Sequence, residues 1–200
     1  MSVVRPPTAA TMRLDGGHPA LDLVNTVYGQ VGGPVEHDVL ATPPDLVTFA
    51  RRVGLAGERT PPSRVALRAA LLLRDALDRA LRAHLDGHAP PAAAVDELEA
   101  AARRALSAGR LARSDRTLAW TWPDAKAMSP VHRLAVAATG LLGDEDELAR
   151  LHVCDACCWL FLDHSRGAGR RWCSMADCGT EAKKRRYVQR RRARRAAGLE

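Results

Sequence analysis

Two cysteine pairs near the C-terminus, Cys154-x2-Cys157 and Cys173-x4-Cys178, constrain this chain more than any other feature. A CxxC turn lets two thiolates from one short loop reach the same ion, and four thiolates complete a tetrahedron that leaves no position for water. All five cysteines lie between 154 and 178, and an odd number in so tight a cluster suits a metal better than disulfides. The spacing therefore predicts a structural Zn2+ on Cys154, Cys157, Cys173 and Cys178 that folds the segment and performs no catalysis. Fifteen residues separate the pairs, as in the C-x2-C-x15-20-C-x2-C template, although the second pair is two residues wider. Cys158 is the odd thiol and a one-residue alternative to Cys157, while His152 and His164 are alternatives to a cysteine.

A cationic run follows at once. From Lys183 to Arg195 nine of thirteen residues are Lys or Arg and none is acidic. On a helix, pairs such as Lys183/Arg186, Arg186/Arg190 and Arg190/Arg194 repel, at a summed cost of about 1–3 kcal/mol. Nucleic-acid phosphates offset such repulsion and release counterions. A solvated tail is the plainer reading of a charge run by itself; its place beside a zinc module favours nucleic acid. Tyr187 and Val188 supply the one small apolar edge, expected to dock on the knuckle. The run lacks the apolar face that a membrane-surface helix requires.

The charge is confined to this end. Of 30 basic and 23 acidic residues, Arg150 to Glu200 holds 13 and 5, a net of +8, which leaves 17 and 18, a net of −1, for residues 1–149. At 200 residues and 46% hydrophobic content the chain suffices for one domain with a small appendage. Residues 1–13, rich in Pro and Thr, are expected to be disordered. Apolar spacing and caps predict helices over 18–27, from Thr42-Pro43 to Gly54, from Thr60-Pro61 to Asp86, over 91–108, from Ser129 to Leu142 and over 144–151. The third carries a stripe including Val65, Leu67, Leu71, Leu72, Leu77 and Leu81. Between them 110–122 alternates, predicting a hairpin that turns at Ser114-Asp115 with Trp120 and Trp122 on one face. The fold class is thus mainly α with a small β-hairpin: a helical domain over 14–149, then a four-cysteine finger with a basic helix over 150–196.

The stretch Cys154-x2-Cys157, Trp159-Leu160-Phe161-Leu162-Asp163-x-Ser165, Arg170-Arg171-Trp172-Cys173-Ser174-Met175-x2-Cys178-Gly179 resembles the CGNR zinc finger family. The opening Gly17-His18-Pro19-Ala20-Leu21-Asp22-Leu23-Val24-Asn25-Thr26 resembles the start of the ABATE domain that precedes that finger. The resemblance implies a bacterial, DNA-binding transcription regulator with Cys154, Cys157, Cys173 and Cys178 as zinc ligands. The family's Cys-Gly-Asn-Arg reads Cys178-Gly179-Thr180-Glu181 here. Thr180 can cap a helix as asparagine does, whereas Glu181 reverses a charge and removes any phosphate contact an arginine would make.

In the mechanism this predicts, Trp159, Phe161 and Trp172 pack around the zinc, and Arg170, Arg171, Lys183, Lys184, Arg186, Arg190 and Arg194 meet the nucleic acid. DNA is the expected partner, with RNA or an acidic protein as rivals; a homodimer and an unidentified effector are compatible with it. His18, Asp22 and Asn25, spaced i, i+4 and i+7, are a candidate ligand pocket, the plainer reading being that they satisfy nearby backbone groups. No GxSxG, phosphate loop, HExxH or GxGxxG in suitable context occurs, so an enzyme is not expected. Neither a signal peptide nor a run near the roughly 18 apolar residues of a membrane span is present, which predicts a cytoplasmic protein.

Overall fold

Alanine and leucine at helical spacing, punctuated by proline and glycine, build the body of the molecule. The structure, a computed structural model, describes residues 6–29, 33–167 and 169–196. Along the chain come α1 (Pro19–Val24), β1 (Val27–Gly29), β2 (Val35–Asp38), α2 (Pro43–Arg52), α3 (Arg64–Leu85), α4 (Ala92–Ala108), β3 (Arg110–Ser114), β4 (Thr117–Thr121), α5 (Ser129–Leu142), α6 (Glu145–Leu148), β5 (Leu151–Val153), β6 (Leu160–Leu162), a π-helical turn (Met175–Gly179) and α7 (Thr180–Ala196). Among the described residues the fold is mainly α, with three two-stranded antiparallel sheets in place of the single hairpin expected.

Helices α3, α4 and α5 pack side by side and α1 lies against α3 and α5. Small residues at the contacts, Ala70, Ala76 and Ala80 of α3 and Ala135 and Ala138 of α5, are buried and let the backbones approach. The stripe on α3 is shifted from expectation: Ala66, Ala70 and Leu73 face inward, while Val65 and Leu72 are 71% and 47% exposed. A continuous Leu71-Leu72-Leu73 run leaves the facing residue undetermined by period alone, and alanine at the helix contact decides it.

The α3 start lies later than expected because two consecutive prolines, Pro61 and Pro62, disfavour helix before them. Ser63 caps instead, its hydroxyl accepting from Ala66 N–H at 3.3 Å. At the other end Gly87 adopts φ +71°, the left-handed value that ends a helix without strain on a Cβ. The opening helix stops at Val24, and Val27 is drawn into β1, which pairs with β2. Arg74 of α3, 7% exposed, clamps this hairpin through two bonds to Asp38 at 2.8 and 2.9 Å and one to the Thr26 hydroxyl at 3.1 Å. Against the penalty of burial, that guanidinium holds the Asp38 carboxyl below its ordinary value.

The tryptophans part company. Trp122 lies beyond β4, buried, its indole N–H on the Ala105 carbonyl at 2.8 Å, while Trp120 is 41% exposed. Residues 6–13 are ordered, contrary to expectation, because Ala9 and Met12 are buried in the core; residues 1–5 lie outside the described residues. That same core takes in Leu151, Leu160 and Leu162 of the β5–β6 hairpin. The Asn25 side chain ties it further, donating to Leu160 O at 2.8 Å and accepting from Leu160 N–H at 2.9 Å, and Leu162 N–H reaches Gly16 O at 3.0 Å. The first half of the cysteine segment is thus built onto α1. Among the described residues no helix is long and apolar enough to cross a membrane.

Candidate metal centre and nucleic-acid interface

The β5–β6 hairpin delivers the first cysteine pair at its tip, where Cys154 N–H bonds to Trp159 O at 2.9 Å. The route to the second pair is organised by Asp163, which is fully buried. Its carboxylate accepts from Ser165 N–H at 2.9 Å and Arg170 N–H at 2.8 Å. Hydrogen bonding from Ser165, then from the Arg170 backbone, pulls its pKa down to about 2. Asp155 N–H on Arg171 O, at 2.9 Å, then brings Cys173 alongside the first pair.

The wider second spacing has a structural answer. Met175 to Gly179 forms a π-helical turn, with Gly179 N–H bonded five residues back to Ser174 O at 2.9 Å, and the extra residue swings Cys178 round to Cys173. The sulfurs of Cys154, Cys157, Cys173 and Cys178 then all lie within 4.8 Å of one another. The separations 157–173, 173–178 and 178–157 are 3.8, 3.7 and 3.8 Å. A tetrahedron with Zn–S bonds of about 2.3 Å has edges of about 3.8 Å, so the donor set fits Zn2+.

Four thiols this close do not ionise alike. Hydrogen bonds with Cys157 and Cys173 hold Cys154 well below the usual thiol value. The contact with Cys154 pushes Cys157 up and Cys173 up to about 12. Zinc takes the place of those protons, which makes its affinity rise with pH.

The alternatives to these ligands have other partners. Cys158 Sγ faces the Val27 carbonyl at 3.7 Å, the His164 ring meets Glu147 at 3.0 Å, and His152 lies against Phe161 with ring centroids 5.7 Å apart. Trp159 and Phe161 are buried around the cysteines and Trp172 is half-buried beside them, as expected.

Arg13 was invisible in the sequence because it sits in a stretch expected to be disordered. Its guanidinium lies 3.9 Å from both Cys173 and Cys178 sulfurs, forms ion pairs with Asp177 at 2.8 Å and Asp15 at 3.1 Å, and stacks 4.9 Å from the Trp159 ring centroid. Four thiolates on one Zn2+ carry an excess of two negative charges, and Arg13 places a positive charge against them.

The family model described as "Putative stress-induced transcription regulator", ABATE, matches residues 17–145, and that of the CGNR zinc finger matches residues 150–191. The chain belongs to the ABATE family. No curated protein matches it. The boundary between the ABATE region and the CGNR finger falls just before β5, so the core formed by Leu151, Leu160 and Leu162 with α1 crosses it.

In the ABATE region His18, Asp22 and Asn25 all serve backbone groups. His18 caps α1, its Nδ1 accepting from Ala20 N–H at 3.2 Å; Asp22 accepts from Gly16 N–H at 3.0 Å; Asn25 bridges to β6. None of the three lines either cavity described for the molecule. Burial pushes the Asp22 carboxyl up to about 6 and the His18 imidazole down.

The expected nucleic-acid residues of the CGNR finger divide. Arg170 is taken up inside it, donating to Cys173 O and stacking 4.8 Å from the Phe161 centroid, and Arg171 pairs with Asp155 at 2.6 Å beside Trp172. Lys183, Lys184, Arg186, Arg190 and Arg194 are exposed on α7. Lys184 bonds Glu181 at 2.7 Å, which lowers the Glu181 pKa, so the family's arginine position here removes one cation from the free set. Thr180 does not cap: already helical, its hydroxyl donates to Met175 O at 3.2 Å. Tyr187 and Val188 do not dock on the knuckle and are 65% and 45% exposed; α7 packs chiefly against the π turn at its start.

Proposed function

We propose that this zinc-finger protein is a cytoplasmic, DNA-binding transcription regulator, in which zinc fixes the knuckle and α7 engages the phosphate backbone. The observation that carries this reading is α7 itself: from Lys183 to Arg195 every side chain is exposed, with no acid among thirteen residues. Lys183, Arg186, Arg190 and Arg194 follow the spacing i, i+3, i+7 and i+11, which forms one cationic stripe along the helix. Arg170 and Arg171 support the finger and contribute less to nucleic-acid contact. With the Asn-Arg of the family replaced by Thr180-Glu181, the stripe beyond residue 183 carries the binding.

The test is binding of zinc-loaded full-length protein to duplex DNA across a salt series, beside Arg186→Glu/Arg190→Glu. Affinity should fall steeply with salt, and the double variant should flatten the log–log slope by about 2, roughly 0.9 per lost phosphate contact. Unchanged binding by the variant overturns the DNA reading. Tighter binding of a structured RNA than of the duplex at one salt concentration transfers the function to RNA.

A further inference from the structure

A cavity of about 520 Å3 lies where the ABATE helices meet the zinc knuckle. Its volume is that of a small-molecule site. Cys158 and Trp159, beside the zinc ligands, line it, whereas His18, Asp22 and Asn25 do not. Val24, Val27, Tyr28 and Trp159 give it apolar and aromatic walls, and its charged side chains are the carboxylates of Asp38, Asp75 and Asp78 and the guanidiniums of Arg74 and Arg82, a net of −1.

The hydrogen-bond balance decides which ligand chemistry fits. Both guanidiniums are engaged: Arg74 with Asp38, Thr26 and Asp75, and Arg82 with Asp78 at 2.9 Å and the Cys158 carbonyl at 2.9 Å. The carboxylates keep acceptor capacity, since each takes up to about four bonds. Asp75 in particular receives one long contact from Arg74 at 3.3 Å, and its side chain is 64% exposed. An anion would meet guanidiniums already bonded to acids. A neutral ligand offers at most a hydroxyl or amide donor and no charge to offset the desolvation of the carboxylates. A cation supplies both charge and N–H groups, and the aromatic faces favour it further.

We propose that this cavity binds a small primary amine with an apolar or aromatic body, the ammonium held by Asp75 and Asp78 and the body lying against Val24, Val27 and Trp159. Cys158 and Trp159 follow Cys157 directly, so the ligand rests one residue from a zinc ligand and its occupancy slows metal loss. The test uses three probes of one shape and different charge, phenethylamine, 2-phenylethanol and phenylacetate, titrated by calorimetry into the zinc-loaded full chain at neutral pH and low salt. Phenethylamine should bind at one saturable site, at least about tenfold tighter than either comparator, and Asp75→Asn should weaken it by about tenfold. Zinc transfer to a chelator should slow with phenethylamine in the wild type alone. No saturable binding of phenethylamine, equal affinity for the three probes, or full affinity in a folded Asp75→Asn protein would each overturn the proposal.

Discussion

The two halves of the CGNR finger are held in opposite ways. The Cys154–Cys157 half sits on a hairpin whose leucines belong to the ABATE core and whose backbone is bonded to Asn25 and Gly16. The Cys173–Cys178 half reaches the body through the sulfurs, Arg13, Asp155 and Asp163, then leads into a helix exposed from Lys183 to Arg195. Zinc thus fastens a solvated cationic element to a buried platform. The contrast teaches that stability and polyanion binding reside in different residues of one small motif, so each can be broken alone.

Removing the metal should act most strongly on that fastening. Chelation at neutral pH, or Cys154→Ser, should cost more than about 5 kcal/mol at the finger, since zinc binding and folding are one process. Hydrogen exchange should register it in β6 and α1 as well as in α7; protection of α1 unchanged by chelation would show that the halves are separable. Next comes the platform: Asn25→Ala leaves the Leu160 N–H and C=O unpaired and should cost about 2–4 kcal/mol in urea unfolding.

Asp22 offers a pH lever on the same helix. Its folded pKa, about 6, lies above the ordinary carboxylate value, so the protonated form is favoured in the fold. Stability from this group is fully present at low pH and lost as pH rises through about 6. Asp22→Asn should therefore stabilise by about 1–3 kcal/mol at pH 8 and by little at pH 4. Arg13→Ala should cost about 1–2 kcal/mol and, more tellingly, speed alkylation of Cys173 and Cys178. Smallest in stability is Arg186→Glu/Arg190→Glu, expected within about 0.5 kcal/mol of wild type in unfolding although it should weaken DNA binding and flatten its salt dependence.

The zinc set and the α5 boundaries were legible because spacing and caps are local signals. The same locality explains what was missed. Arg13 and Asn25 act across more than 130 residues of sequence, on Cys178 and Leu160, and no periodicity reports a contact of that range. β1 and β6 are three residues long, too short for alternation to show. Thr180 was read as a cap because π turns have no composition of their own, and a Cys-x4-Cys pair is the one hint that the helix begins earlier and wider.

That turn also works as an angular gauge. Each helical residue advances a side chain by about 100° about the axis. Deleting one residue between Cys173 and Cys178 would therefore rotate the entire stripe of Lys183, Arg186, Arg190 and Arg194 by about that angle relative to the knuckle, with composition and charge almost unchanged. Which groove or surface a finger of this kind addresses is then a matter of phase, set by the count of residues between two cysteines.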